Sequence, residues 1–376
     1  MHQDARIAVD TTLADLDRAG TGSHVRGLAD ALARLLGDRL VPISFGVGRP
    51  LARRRTVRDR AANLVRDVWW NQHAVLRAAT RCGADLLHAP AGVGPVFGAI
   101  PKVVTIHDLA FLRFPEFFHR WFRTYATWVI PRLAHSARAV ITVSQTSKAD
   151  LITRLGLPEA KIFVIPNGVD RAFAPVAPGS DRAAAVASRY GLPAAFALTV
   201  GSIEPRKNLV RLMQAVERLR TRPETADLML VHAGPYGWLG DEVERMAEKL
   251  RGAGAVRFIG YVPPADLPVL YSLARFMVYP SLFEGFGLPV LEAMACGCPV
   301  VASGIDALEE VAGPAAVFVD PYSVDAIADG LARVWRDPEE RMVLKRRGRQ
   351  RSGEFSWDLA ARSTAGVYER VLEGTV

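Results

Sequence analysis

Two glutamates, Glu284 and Glu292, are the acidic residues of this sequence best placed to bind an elongated ligand. Seven residues separate them. Glu284 follows a short apolar segment, 276–279, that predicts a buried strand, and Glu292 lies about one turn into a helix predicted over 288–296. Both carboxylates can therefore face the same cleft while they reach different parts of one ligand.

The loop between this strand and this helix is suited to anion binding. Gly285 and Gly287 leave it bare of side chains, and Pro289 suits the first helical turn because its missing N–H group is not needed there. The backbone N–H groups of Phe286, Gly287 and Leu288 and the positive end of the helix dipole then form a site for phosphate.

Two adjacent cations, Arg206 and Lys207, occupy a similar position earlier in the chain. They follow an apolar strand predicted over 195–201 and precede a helix predicted over 209–219. Arginine offers a planar fork of donors and lysine a compact charge, so the pair also predicts phosphate binding.

His107 ends a third apolar strand, predicted over 103–107, and is followed by Asp108. Ligands of parallel α/β sheets bind beyond the carboxyl ends of the strands, so His107 is expected to project into a ligand crevice. The alternative is a histidine with a purely structural role.

Strands that alternate with helical segments along the whole chain predict an α/β fold with parallel, doubly wound sheets. At 376 residues the chain is long enough for about two domains. A stretch rich in Ala, Pro, Gly and Ser at 172–193 separates two such patterns. We predict domains at 1–175 and 190–354, followed by a final helical segment at 355–376.

Residues 284–303 read EGFGLPVLEAMACGCPVVAS. This segment resembles the signature of the retaining, nucleotide-sugar-dependent glycosyltransferases of family 4. The resemblance implies the GT-B fold, in which two Rossmann-like domains face each other across a cleft. It assigns the acceptor to the N-terminal domain and the donor to the C-terminal domain, with the last helix crossing back to the N-terminal domain.

The resemblance also implies roles for the residues above. Glu284 and His107 would be catalytic at the donor sugar, Glu292 would bind the ribose, and the donor diphosphate would meet Arg206, Lys207, Phe286, Gly287 and Leu288. No cluster of Asp or His at metal-binding spacing is evident in the sequence. We therefore expect neither a metal nor a cofactor, with the nucleotide sugar as a co-substrate.

Gly22 is a further donor-binding candidate, because the segment 19–24 resembles the loop that closes on the donor diphosphate in this family. The family often has an arginine just after the second glycine, where this chain has Ser23. Any basic contact would have to come from Arg26 or His24. The alternative, which we favour from the local pattern alone, is a plain turn before a helix.

The net charge of +8 belongs to the N-terminal half, since residues 1–180 hold 24 of the 47 Lys and Arg residues but only 14 of the 39 Asp and Glu residues. This imbalance predicts an anionic partner, either an acidic acceptor or an anionic membrane surface. Two segments could touch a membrane: the Arg-rich 51–72 with Trp69 and Trp70, and the aromatic-rich 111–128. The alternative for the first segment is an ordinary domain helix with a solvated charged end. The second segment could instead be an acceptor platform or a buried helix hairpin. Nucleic acid is rejected as its partner because no recognised RNA or DNA module surrounds it.

The sequence has no apolar run of about 20 residues and opens on a polar stretch, which predicts a cytoplasmic protein, peripheral at most at the inner membrane face. We predict transfer of a hexose from a nucleotide sugar to a glycan or lipid-linked acceptor, with GDP-mannose as the first donor and a UDP-hexose as the second. The alternatives are an epimerase or hydrolase of the same fold, or a non-catalytic nucleotide-sugar-binding protein.

Overall fold

The computed structural model describes residues 4–16, 20–45, 65–118, 120–237 and 241–376. The chain divides into two compact units, one formed by residues 1–168 and 355–376 and the other by residues 169–354. None of the helices in the described ranges combines the length and apolar character that crossing a membrane requires.

The first unit contains a parallel sheet of six strands in the order β2-β1-β3-β4-β5-β6. The strands are short and mostly buried, as expected for a sheet covered on both faces. Their bounds are β1 Ile7–Asp10, β2 Leu40–Ile43, β3 Leu86–Ala89, β4 Lys102–Thr105, β5 Ala139–Thr142 and β6 Ile162–Val164.

Helices connect these strands: α1 Thr12–Leu16, α2 Gly20–Leu36, α3 Val75–Arg81, α4 Ala110–Arg113, α5 Arg120–Ser136 and α6 Gln145–Leu155. A π-helical segment, Val65–Ala74, precedes α3. The start of α6 shows how the sequence sets a boundary. Ser144 is its N-cap, and the Ser144 side chain accepts a hydrogen bond from the Ser147 N–H at 3.1 Å, as the serine before an amphipathic run predicts.

The second unit contains another parallel sheet of six strands, in the order β12-β11-β10-β7-β8-β9. The strands are β7 Ala197–Val200, β8 Leu230–Ala233, β9 Val256–Gly260, β10 Phe276–Tyr279, β11 Val300–Ser303 and β12 Ala316–Val319. Chain order runs outward in both directions from the pair β7 and β10. The topological switch point, where parallel α/β sheets bind their ligands, therefore lies between these two strands.

The helices of the second unit are α7 Asp181–Tyr190, α8 Leu209–Arg220, α9 Asp241–Gly252, α10 Leu267–Leu273, α11 Leu288–Ala295, α12 Asp306–Ala312, α13 Val324–Arg336 and α14 Pro338–Ser352. They cover a core that includes Leu212, Phe276 and Trp335, all at most 2% exposed. The last helix, α15 Trp357–Leu372, belongs to the first unit, where Trp357 and Tyr368 pack in one core cluster with Leu28 and Leu32 of α2. The predicted α/β class with parallel sheets is confirmed.

Candidate functional site

Arg206 and Lys207 lie just beyond β7, at the switch point of the second sheet. They form a single 3-10 turn, Pro205–Lys207, that leads into α8 through Asn208. Asn208 has a φ of 57°, a left-handed conformation that asparagine tolerates better than most residues. Its side chain donates to the carbonyl oxygens of Pro280 at 3.0 Å and Pro321 at 2.7 Å, which fixes the turn against the neighbouring loops.

Glu284 joins these two cations in one buried ion-pair cluster. One Arg206 Nη atom lies 2.7 Å from Glu284 Oε2, and Lys207 Nζ lies 2.7 Å from Glu284 Oε1. The other Arg206 Nη atom lies 2.7 Å from a carboxylate oxygen of Glu204. Lys207 also donates to the hydroxyl of Tyr279, the last residue of β10. The Lys207 and Glu284 side chains are only 12% and 8% exposed, so water screens their interaction weakly.

The ionisation of Glu284 follows from this contact set. Burial alone would raise the pKa of the carboxyl, but the positive charges of Arg206 and Lys207 outweigh burial and lower the pKa to about 2. Glu284 is therefore a carboxylate near neutral pH with both oxygens bound to cations. Such a group is a weak base and a weak nucleophile, and it is well suited to hold cations in place.

The first turn of α11 lies directly after this cluster in the chain. Gly287 is the N-cap residue with a φ of 103°, a backbone conformation that favours glycine, and an added Cβ there would also displace the Leu308 side chain, 2.4 Å away. Leu288 is the first helical residue, Pro289 follows it, and Phe286 is buried. Pro289 has no N–H, and the N–H groups of Val290 and Leu291 donate to the Gly287 carbonyl at 3.0 and 3.3 Å. An anion at this helix start would therefore meet the N–H of Leu288 and the positive end of the helix dipole. The structure thus brings the predicted anion-binding loop beside Arg206 and Lys207.

Glu292 lies on α11 and has a different environment. The hydroxyl of Tyr271, on α10, donates to Glu292 Oε2 at 3.0 Å. Burial raises the pKa of Glu292 to about 8, although the hydrogen bond from Tyr271 acts in the opposite direction. Without a ligand, Glu292 is therefore mainly protonated at neutral pH.

His107 lies in the first unit, two residues beyond the end of β4, and is half-buried. Its Nε2 atom is 3.1 Å from the carbonyl oxygen of Pro90, and its own carbonyl accepts from Ser147 Oγ at 2.8 Å. Asp108 accepts a hydrogen bond from the Ala110 N–H at 2.9 Å and so helps to start α4. His107 therefore lies at the carboxyl edge of the first sheet, as its sequence position suggested.

Gly22 and His24 lie inside α2, which begins at Gly20, so the segment expected as a loop is the first part of a helix. His24 is 4% exposed, its Nδ1 atom is 2.7 Å from Asn167 Oδ1, and its ring centroid is 4.4 Å from that of His107. Burial lowers the pKa of His24 well below its usual value, and the neighbouring His107 adds to this effect. Burial therefore disfavours the charged form of the His24 imidazole in the chain without ligand, and a basic contact from His24 stays a prediction. Arg26 donates to the Ala14 carbonyl and, at 3.3 Å, to Ser23 Oγ.

The two segments considered for membrane contact have different outcomes. Most of the Arg-rich one lies outside the described residues. Within its described part, Trp70 is 8% exposed and donates to Asp10 Oδ2 at 3.2 Å, which makes it a core residue, whereas Trp69 is exposed. In the aromatic-rich segment Phe111 is buried, while Phe122 and Trp128 are exposed.

Sequence reasoning missed several residues that shape the site: Glu204, Tyr271, Tyr279 and Asn208. Glu204 lies two residues before Arg206, so the alternation of acid and base was a usable signal. No local signal pairs Tyr271 with Glu292, because they come from different helices. Within the described ranges, no group of three or more His, Cys, Asp or Glu residues is arranged to hold a metal ion.

Two family models match the chain. The model described as Glycosyltransferase Family 4 matches residues 18–173, and the model described as Glycosyl transferases group 1 matches residues 190–351. The chain is also 34% identical over 268 residues to the O-antigen chain mannosyltransferase B of Escherichia coli, an alignment that covers 71% of this chain and 70% of that protein. It spans 29–58% of the length of four further curated relatives.

Solved structures share the fold at lower identity. The sucrose-phosphate synthase of Thermosynechococcus elongatus superposes with a TM-score of 0.76 at 22% identity, covering 98% of this chain and 100% of that one. The HepE protein of Anabaena, crystallised with UDP and glucose, superposes with a TM-score of 0.72 at 18% identity, covering 97% and 99% of the two chains. These likenesses agree with the paired parallel sheets described above.

Proposed function

Since this chain belongs to glycosyltransferase family 4, we propose that it is a retaining transferase that moves a hexose from a nucleotide sugar to a glycan or lipid-linked acceptor. The ion-pair cluster of Arg206, Lys207 and Glu284 beside the first turn of α11 carries this proposal. It fixes two cationic side chains, held by Glu284 and Glu204, beside a helix N-terminus at the switch point of the second sheet, where a diphosphate would bind.

In the proposed reaction, the bond between the anomeric carbon and the donor diphosphate oxygen breaks, and the diphosphate leaves with the electron pair. The acceptor hydroxyl attacks from the same face, and its proton passes to the leaving diphosphate oxygen. Arg206, Lys207 and the N–H groups at Phe286, Gly287 and Leu288 stabilise the charge on that leaving group. Removal of divalent metal with EDTA is then expected to leave the rate unchanged, because these cations supply the positive charge.

The ionisation of Glu284 favours attack from the same face over a double displacement. A double displacement needs a free carboxylate that attacks the anomeric carbon. Glu284 instead has a pKa of about 2 and both oxygens bound to cations. A carboxylate offers more than two acceptor sites, so Glu284 can still accept a hydrogen bond from the donor sugar.

Two further residues have proposed roles. Glu292, once ionised, accepts hydrogen bonds from the ribose hydroxyls, and Tyr271 positions it. His107 is the first unit's proposed contribution and contacts the donor sugar. Gly22, a buried residue in the first turn of α2, is retained as a donor-side candidate on the resemblance of its segment to the family's donor loop.

Mannose from GDP-mannose is the first donor we propose, since the relative with 34% identity is named a mannosyltransferase. A UDP-hexose is the second. Thermal-shift screening against GDP-, UDP- and ADP-sugars tests the choice, because the ligand that binds the folded chain raises its melting temperature.

Product analysis with and without an acceptor then separates the enzyme classes. A transferase forms a new glycoside only when acceptor is present. An epimerase or a hydrolase changes the donor without acceptor, and a non-catalytic binding protein changes nothing.

A further inference from the structure

A row of basic residues marks the amino-terminal edge of the first sheet, opposite the edge where His107 lies. Lys102 is the first residue of β4, Arg138 directly precedes β5, and Lys161 directly precedes β6. These strands are neighbours in the sheet, and the Arg138 N–H donates to the Lys102 carbonyl at 2.8 Å. Because adjacent strands lie about 4.8 Å apart, the three cations line one short stretch of edge.

A cavity of about 550 Å³ opens at this edge. Besides the three edge residues, it is lined by His135 near the end of α5, by Arg370 of α15 and by Val376. No Asp or Glu side chain is among its lining residues. The Arg370 guanidinium lies 5.0 Å from the centroid of the Phe163 ring on β6, which holds Arg370 beside the sheet.

Within the described part of the chain, these cations have no carboxylate partner at ion-pair distance. Lys102 is 5% exposed, and its Nζ donates to the carbonyl oxygens of Pro95 at 3.1 Å and Val96 at 2.9 Å. Lys161 Nζ donates to the His135 carbonyl at 2.7 Å, a contact at the carboxyl end of α5 that suits a cation. Carbonyl oxygens hold these ammonium groups but do not neutralise them.

The cations also disfavour one another's charge. Burial lowers the pKa of Lys102, and the nearby Lys161 lowers it further. Burial likewise lowers the pKa of Lys161, and Arg138 adds to the effect. Arg138 and Arg370 are exposed, and their guanidinium groups have no hydrogen-bond partner among the described residues. The guanidinium N–H groups of Arg138 and Arg370 are therefore available to a ligand.

We propose that this cavity binds a phosphate-bearing ligand through the guanidinium groups of Arg138 and Arg370 and the ammonium group of Lys161. Arginine forks match the oxygens of a phosphate, and an anion here would meet cations that have no ion-pair partner among the described residues. The volume exceeds what a single phosphate needs, so the ligand is a phosphorylated small molecule or the headgroup of an anionic lipid. This site is separate from the donor site proposed above and does not depend on it.

The test compares the full chain with the double variant Arg138→Gln/Arg370→Gln. One arm titrates inorganic phosphate by calorimetry and follows the ring resonances of His135 by NMR as a local readout. The second arm measures cosedimentation with phosphatidylcholine vesicles that contain or lack phosphatidylglycerol. The control is Arg81→Gln, an exposed cation at the end of α3 that removes the same kind of charge away from the cavity.

We expect at least about tenfold weaker binding by the double variant in one arm, because two charge-assisted contacts are lost. Loss confined to the phosphate arm identifies a soluble phosphate ligand, and loss in the vesicle arm, with or without loss in the phosphate arm, identifies a lipid headgroup. Phosphate bound at Arg206 and Lys207 would add heat in both proteins, so the affinity at the cavity is taken from the His135 resonances, which lie in its lining. If the double variant unfolds, Arg138→Gln alone is used in the same two arms.

The proposal is overturned if the parent binds neither probe, or if the double variant binds both as tightly as the parent. It is also overturned if Arg81→Gln weakens binding as much as the double variant does. Unchanged His135 resonances during a phosphate titration that releases heat would place the ligand elsewhere and would overturn the phosphate arm.

Discussion

Lys207 Nζ lies 2.7 Å from Glu284 Oε1, although the two residues are 77 positions apart in the chain. Arg206 binds the other oxygen of the same carboxylate, so one buried acid holds both cations of the proposed diphosphate site. A pair of adjacent cations that lacked this acid would repel each other in the absence of ligand. Glu284 therefore prepares the site before the donor arrives, and its removal has consequences for stability as well as for activity.

Replacement of Glu284 by Gln is expected to destabilise the chain at neutral pH and to change its acid denaturation. The folded pKa of about 2 lies below the ordinary 4.5, so the stabilisation is present above about pH 4.5 and is lost as pH falls toward 2. At about 1.4 kcal/mol per pKa unit, the parent should be more stable than the variant by up to about 3 kcal/mol at pH 7. Urea unfolding at several pH values measures this difference, and a difference that stays constant down to pH 2 would contradict the assignment.

Replacement of Glu292 by Gln is expected to have the opposite effect. Its folded pKa of about 8 lies above 4.5, so ionisation destabilises the fold, and this penalty develops as pH rises from about 4.5 to 8. The variant lacks the penalty, so its free energy of unfolding should differ little from the parent's near pH 4 and exceed it near pH 9. Because Glu292 is partly exposed, water reduces the penalty to on the order of 2 kcal/mol. Thermal unfolding at both pH values checks this. Equal curves at pH 9 would show that Glu292 ionises without cost.

Replacement of His107 by Ala is expected to lower kcat by at least about tenfold and to change the donor KM by less than about threefold. The reason is that His107 is proposed to act on the reacting sugar more than on the bound nucleotide. Steady-state kinetics with the donor found by screening measure both constants. His73→Ala, at an exposed position, is the control and should match the parent. A rise in KM at constant kcat would assign His107 to binding alone.

Gly168→Ala is expected to destabilise the first unit by about 2 kcal/mol or more. An added Cβ at Gly168 would lie 2.1 Å from the backbone nitrogen of Trp357, where neither backbone can move freely. Gly366, in the middle of α15, has no atom within 4 Å of an added Cβ, so Gly366→Ala should be neutral or stabilising by up to about 1 kcal/mol. Thermal melting of the two variants provides the comparison. A Gly168→Ala variant with the parent's melting temperature would mean that the backbone at Gly168 or at the start of α15 shifts readily.

The fold class was accessible from the sequence because it depends on local patterns. Short apolar strands alternate with amphipathic helices, and punctuating residues such as Ser144 and Gly287 mark where helices begin. The start of α2 was predicted wrongly because packing between distant segments, and not the local pattern, decides it. Gly20 and Gly22 suggested a loop, but packing of α2 against α15 supports helix through them.

The sequence identified several residues of the candidate site but not the contacts between them. Arg206, Lys207 and Glu284 were each singled out from their positions after strands, and the switch point brings those strands together. Their ion pairs depend on side-chain packing between distant segments, which no local pattern contains. The protonation of Glu292 depends on its burial beside Tyr271, and the neutrality of His24 on its burial beside His107, so these also required the structure.

The most direct test of the central claim is the binding of a nucleoside diphosphate, GDP or UDP, to the parent and to Lys207→Met, compared with binding of the matching nucleoside. If Lys207 binds the diphosphate, the variant should bind the diphosphate at least about tenfold more weakly and the nucleoside equally well. Lys249→Met, at a side chain that is 64% exposed, is the matched control and should behave as the parent. Equal diphosphate binding by the folded Lys207→Met variant and the parent would contradict the account.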